Sequence, residues 1–224
     1  MSYSYGRSIV TDGLVFYVDA ANENSYPGTG TTWTDLIGSD QTTLTNGPTY
    51  NSGNGGYIEL DGTNDFVDTS FNATSYFPLT ICAWVNISDT SGTEIIVDQS
   101  TGTLGLGFRT SSSNIEAFWY NGSTHNLQTV IASYTANQWL YVCVVFDTDS
   151  SKGYLNGSLG NSNTISLTSA IATNDTTNNM HIGSFNDSSG GYLNGDVAQV
   201  KIYNKALTAD EILQNYNALK NRFV

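Results

Sequence analysis

Charge is scarce in this chain, and positive charge is scarcest. Only 12% of its 224 residues are charged, about half the usual globular share, and 7 Lys and Arg stand against 20 Asp and Glu. A net charge of −13 excludes nucleic acid as a natural partner, because phosphate binding needs a basic surface. It argues equally against anionic membrane surfaces. No apolar run approaches 18 residues, so no helix is expected to span a membrane. Met1-Ser2-Tyr3-Ser4-Tyr5-Gly6-Arg7 lacks an apolar core, so the sequence predicts cytoplasmic synthesis without a signal peptide. Cysteine is limited to Cys82 and Cys143, each inside an apolar strand-like run, and both are expected as buried free thiols. A domain of this length needs no such staple. There is no Gly-x-Ser-x-Gly elbow, no Cys/His zinc spacing and no phosphate-binding glycine loop. His125 and His181 stand beside no nucleophile motif.

In place of charge the chain carries 25 Ser, 28 Thr and 24 Asn, with 22 Gly. That content by itself produces six Asn-x-Ser/Thr sites, at Asn72, Asn86, Asn121, Asn156, Asn174 and Asn186. Fourteen Tyr, 9 Phe and 4 Trp supply a core, so the composition is that of short strands joined by polar turns. Apolar residues alternate with period two, and turn signals recur about every ten residues, the signature of a sandwich or barrel. Strands are expected near 14–18, 57–61, 65–69, 79–87, 93–98, 103–109, 114–120, 124–131, 138–147, 152–155, 179–184 and 192–203. Leu79, Ile81, Ala83 and Val85 form one apolar face and Cys82 and Trp84 the other; Val142, Val144 and Phe146 oppose Cys143 and Val145 in the same way. Strands apolar on both faces belong at the centre of a sheet. Asn121-Gly122, Asn156-Gly157 and Asn194-Gly195 read as hairpin turns. Thr208 with Glu211 spells a capping box for a helix over 208–221. Ile212, Tyr216 and Leu219, with Leu213 beside them, make its packing stripe.

Three phrases carry a family likeness: Tyr57-Ile58-Glu59-Leu60-Asp61-Gly62-Thr63-Asn64-Asp65-Phe66-Val67, Ile81-Cys82-Ala83-Trp84-Val85, and Val200-Lys201-Ile202-Tyr203-Asn204-Lys205-Ala206-Leu207-Thr208. With them, the chain from Gly13-Leu14-Val15-Phe16-Tyr17-Val18-Asp19-Ala20 onward resembles the laminin G-like, concanavalin A-like jelly roll. The resemblance implies an all-β fold, an antiparallel two-sheet jelly-roll sandwich with one C-terminal helix. It gives an N-terminal arm over 1–12 and one domain over 13–224. It also implies a likeness to single-domain phage-encoded members, and framework roles for Trp33, Trp84 and Trp139.

Enzymes of this fold place carboxylates at alternate positions of one strand, where they flank a scissile bond. Here Glu116 stands alone, Glu94 lies four before Asp98, and Glu59 lies two before Asp61, which ends its strand in an Asp-Gly turn. Calcium is a separate possibility: Asp61, Asn64 and Asp65 put three oxygen-bearing side chains in five residues of a turn. The resemblance implies further acids on the strand that here reads Gly195-Asp196-Val197-Ala198-Gln199-Val200, where Ala198 and Gln199 replace two of them. For sugar binding, the candidate is the hairpin tip with Trp119, Tyr120, Asn121 and His125, which offers rings for stacking and polar groups for hydroxyls. Core packing is the alternative for each of these aromatics.

These readings rank as follows. The first is a non-enzymatic surface protein of a virion or similar particle, a decoration or fibre-associated component that meets other particle proteins and host glycans, as a homo-oligomer. The second is a lectin or adhesin unconnected with a virion. A glycoside hydrolase comes third.

Overall fold

The computed structural model describes residues 8–73, 76–100, 104–121, 125–131, 133–148, 150–164, 178–186 and 190–224. The tyrosines of the expected arm, Tyr3 and Tyr5, lie outside them, as does Asn174. Fifteen strands follow one another among the described residues. They are β1 (Leu14–Asp19), β2 (Thr42–Thr45), β3 (Thr49–Asn51), β4 (Tyr57–Asp61), β5 (Phe66–Thr69), β6 (Leu79–Ile87), β7 (Ile95–Ser100) and β8 (Leu104–Ser111). Then come β9 (Asn114–Asn121), β10 (His125–Ile131), β11 (Trp139–Phe146), β12 (Ser150–Leu155), β13 (Ser158–Thr164), β14 (His181–Ile182) and β15 (Asn194–Tyr203), closed by helix α1 (Ala209–Leu219).

Two antiparallel sheets face each other. One runs β13-β12-β11-β6-β15-β4-β3 and the other β10-β9-β8-β7-β14-β5-β2. β15 is ten residues long, and its pairing divides: β4 takes its first half and β1 its second, while β6 runs along it. β6 and β11 are central strands, as their two apolar faces predict, and β15 lies beside β6. Leu79, Ile81, Ala83 and Val85 turn into the main core with Val142, Val144 and Phe146. Cys82, Trp84, Cys143 and Val145 turn outward into a second apolar cluster.

α1 makes that second cluster possible. Thr208 and Glu211 close the capping box, each bonding the other's backbone N–H. Ile212 is buried, and Tyr216 and Phe223 stack on Trp84 at 5.7 and 4.3 Å between ring centroids. The expected stripe needs one change. Leu213 is 40% exposed, and the buried polar residue is Asn215, whose Oδ1 accepts from the Val10 N–H and whose Nδ2 donates to the Tyr203 hydroxyl. Residues 8–10 are thereby packed against the helix, with Val10 buried, and belong to the body of the fold.

Two expectations fail. Cys82 and Cys143 are directly opposed on β6 and β11 and form a disulfide, not two free thiols. Asn194-Gly195 is no hairpin: both residues open β15, paired with Asp61 and Leu60. Gly195 is needed there because a Cβ would meet the Asn86 carbonyl oxygen at 2.3 Å. Asn156-Gly157 does turn a hairpin, with φ of +50° and +80° between β12 and β13. No helix among the described residues is long and apolar enough to cross a membrane.

Candidate functional site

Beyond the end of α1's cover, the outer face of the eight-stranded sheet turns polar along one lateral row. Thr49 on β3 faces Glu59 on β4, Glu59 faces Asp196 on β15, Asp196 faces Asn86 on β6, and Asn86 faces Trp139 on β11. Directly opposed residues of antiparallel strands share a face, so the row is one surface. Glu59 is held at both oxygens: Oε2 accepts from Thr49 Oγ1 and Oε1 from Asn51 Nδ2, each at 2.9 Å. Asp196 accepts from Asn86 Nδ2 at 3.1 Å. Burial, with the Glu59 charge added, pushes the Asp196 carboxyl up to about 6.

One pair further along, Asp61 faces Asn194. The turn after it closes on itself. Asp61 Oδ1 accepts from the N–H groups of Thr63 and Asn64, and Asp65 Oδ2 accepts from the N–H of Asp61. Those backbone bonds hold the Asp61 carboxyl below the usual range, whereas burial and the Asp61 charge raise Asp65. Row and turn border an open cleft of about 420 Å³, lined by Glu59, Asp61, Asp65 and Asp196 together with Asn46 and Asn194. None of the described lining residues is Lys, Arg or His. Tyr57 lies two residues before Glu59 on the same face, and its ring meets Trp139 edge-on at 5.3 Å.

The model of the concanavalin A-like lectin/glucanases superfamily matches residues 51–213. The chain belongs to that superfamily. Solved structures repeat the fold at low identity. The binding domain of botulinum neurotoxin DC in complex with SialylT has a TM-score of 0.74 at 14% identity, covering 94% of this chain and 52% of that one. The Trypanosoma rangeli sialidase in complex with sialic acid has a TM-score of 0.70 at 15% identity, covering 96% and 34%. The receptor-binding domain of botulinum neurotoxin type G gives 0.67 at 14%, covering 92% and 51%. The chain thus spans about half the length of the toxin domains and a third of the sialidase, and at these identities the likeness is one of fold. No curated protein sequence matches the chain significantly.

This concanavalin A-like domain disperses the other residues singled out by sequence. Trp119 has no exposure and packs edge-on to Phe146 at 6.4 Å in the main core, so it offers no ring to a sugar. Alternation explains it: Trp119 points inward, and Tyr120, partly buried, points outward on the seven-stranded sheet opposite His125 of β10. The side chains of Asn121 and His125 lie outside the described residues. Asp61 and Asp65 do meet in the cleft, and Asn64 is exposed in the turn between them. Asp61 Oδ1 and Asp65 Oδ2 accept backbone N–H groups of the turn. No group of three or more His, Cys, Asp or Glu among the described residues is arranged to hold a metal ion.

Nor do the remaining strand acids form a catalytic pair. Glu116 binds Arg109 at 3.4 Å. Asp98 is buried and accepts from the Asn186 N–H at 2.7 Å. Glu94, pushed up to about 7 by burial, accepts from the Asn194 N–H at 3.3 Å. His181 does find a hydroxyl that no motif announced: Nδ1 lies 3.2 Å from Ser184 Oγ and Nε2 3.4 Å from Asp68 Oδ1. Ser184 has no solvent exposure and donates to the Phe185 carbonyl, so the grouping presents no nucleophile.

The residue that sequence reading missed is Asp196. Its signal was the Asn-Gly-Asp opening of β15, which gains meaning only once register sets it beside Glu59.

Proposed function

We propose that the chain is a non-enzymatic carbohydrate-binding module, displayed at the surface of a virion or similar particle as a homo-oligomer and docked there on other surface proteins. The observation that carries the binding part is the open cleft lined by four carboxylates together with Asn46 and Asn194. Carboxylate and amide groups accept and donate to sugar hydroxyls. Small-ligand sites are concave and carry a few convergent polar groups of this kind. Neighbours of the same fold whose titles name SialylT or sialic acid support a glycan as ligand. The Ser-, Thr- and Asn-rich composition and the Cys82–Cys143 bridge support life outside a reducing cytoplasm.

The test is a glycan array probed with the purified chain, with calcium and again with chelator. Binding lost on Glu59→Gln and Asp196→Asn would support the cleft. Binding that vanishes with chelator would assign calcium to the Asp61–Asp65 turn. Silence throughout would overturn the carbohydrate reading and leave a structural module.

One observation favours a hydrolase as the second reading. Asp196, whose carboxyl is pushed up to about 6 by burial and the Glu59 charge, lies directly opposite Glu59, and a raised carboxyl beside a second carboxylate is the pairing that acid–base chemistry uses. Release of reducing ends from a bound oligosaccharide would replace the non-enzymatic reading with that one.

A further inference from the structure

Resting on the carbohydrate-binding reading, we propose that the cleft takes neutral or amino sugars and rejects glycans that present a carboxylate, such as sialic and uronic acids. The argument is the sign of every charge that a ligand would meet. Glu59, Asp61, Asp65 and Asp196 converge on one open volume, and none of the described lining residues is basic. A carboxylate-bearing sugar seated there would bring a fifth anion among four, with no partner for it.

The chain has few cations with which to compensate. It carries only 7 Lys and Arg, and four of the described ones are committed elsewhere. Lys205 bridges Asp12 and Glu211, each at 2.7 Å. Arg222 is held by Asp19 at 3.0 Å and by the Asn54 and Gly56 carbonyls. Arg109 binds Glu116 on the other sheet. Lys201 is buried, donating to Gln199 and lying over the Tyr17 ring. The net charge of −13 adds a field of the same sign at longer range.

The same surface has what a neutral sugar needs. Fixed acceptors at Glu59, with Asn46 and Asn194 beside it, serve hydroxyls without requiring charge on the ligand. An amino sugar would add a favourable ion pair.

The experiment is a glycan array of neutral, amino, sialylated and uronic members, followed by titration calorimetry on matched oligosaccharides with and without a terminal sialic acid. The expected result is binding of neutral or amino members, with the sialylated partner about tenfold weaker or more at low salt. Raising the salt concentration would narrow that ratio, because added ions screen the repulsion. Glu59→Gln with Asp196→Asn, checked for folding by circular dichroism, would narrow it too. Sialylated members bound as tightly as their neutral counterparts would overturn this inference alone. Silence from all four classes would overturn the carbohydrate reading and this inference with it.

Discussion

The outer face of the eight-stranded sheet is divided between two chemistries carried by the same strands. On β15, Asp196 lines the cleft, while Ala198 and Tyr203 lie in the apolar cluster beneath α1. On β6, Asn86 belongs to the polar row, and Trp84, two residues earlier, is sealed under Tyr216 and Phe223. One half is covered and holds the fold; the other is open and polar. The proposed binding face needs no separate loop or domain, only a helix that stops before it reaches the end of the sheet.

Breaking the covered half should cost most. Trp84→Ala removes a fully buried indole from between Tyr141, Tyr216 and Phe223, and should lower stability by about 3–5 kcal/mol in a urea melt. Glycan affinity well below the melting range should be unchanged. A change in affinity as large as the change in stability would mean that the two halves are not separate.

Opening the Cys82–Cys143 bridge is the next largest disturbance. Reduction, or Cys82→Ala with Cys143→Ala, should cost about 2–4 kcal/mol, since the bridge closes a loop across a sequence separation of 61. Melts with and without reductant check this, and identical curves would show that the thiols are free in solution. Thr208→Ala should cost about 1 kcal/mol by removing one side of the capping box.

Asp196→Asn sharpens the contrast from the open side, with a smaller effect of opposite sign. The native carboxyl holds its proton up to about 6, against about 3.9 for a free aspartate, so the folded state binds that proton more tightly than the unfolded chain. Its contribution to stability is therefore present below pH about 4 and lost as the pH rises through 6. At pH 7 the amide should gain on the order of 1 kcal/mol or less, since the group is only half-buried and water screens it. Chemical melts at pH 4 and pH 7 give the comparison, and the gain should vanish at the lower pH. Sugar binding should weaken in the same variant.

The sheets were legible where one strand carried enough information by itself. The two apolar faces of 79–85 and 142–146 announce central strands, and Thr208 with Glu211 announces the helix start. Features that depend on which residue of another strand lies opposite were not legible. Cys82 against Cys143, and Glu59 against Asp196, are facts of register, set by partners 61 and 137 residues away. Trp119 and Tyr120 were grouped as one hairpin tip, yet adjacent residues of a strand point to opposite faces. The short strands β2 and β3, and the longer but polar β13, carry too few apolar residues to be told from turns. Asn215 takes a buried place that the apolar stripe did not announce, because its Oδ1 satisfies the buried N–H of Val10 from a distant part of the chain.

The clasp between β6 and β11 also has a mechanical side. On the proposed function, a module displayed on a particle and gripping a glycan would be pulled at two points. In the oxidised chain, the stretch between Cys82 and Cys143 cannot pay out, whatever happens to the strands around it. Roughly 200 Å of contour length is thereby withheld from extension, at about 3.4 Å for each of the 61 residues of separation. Under tension the domain would yield as a short tether, and a reductant would turn it into a long one.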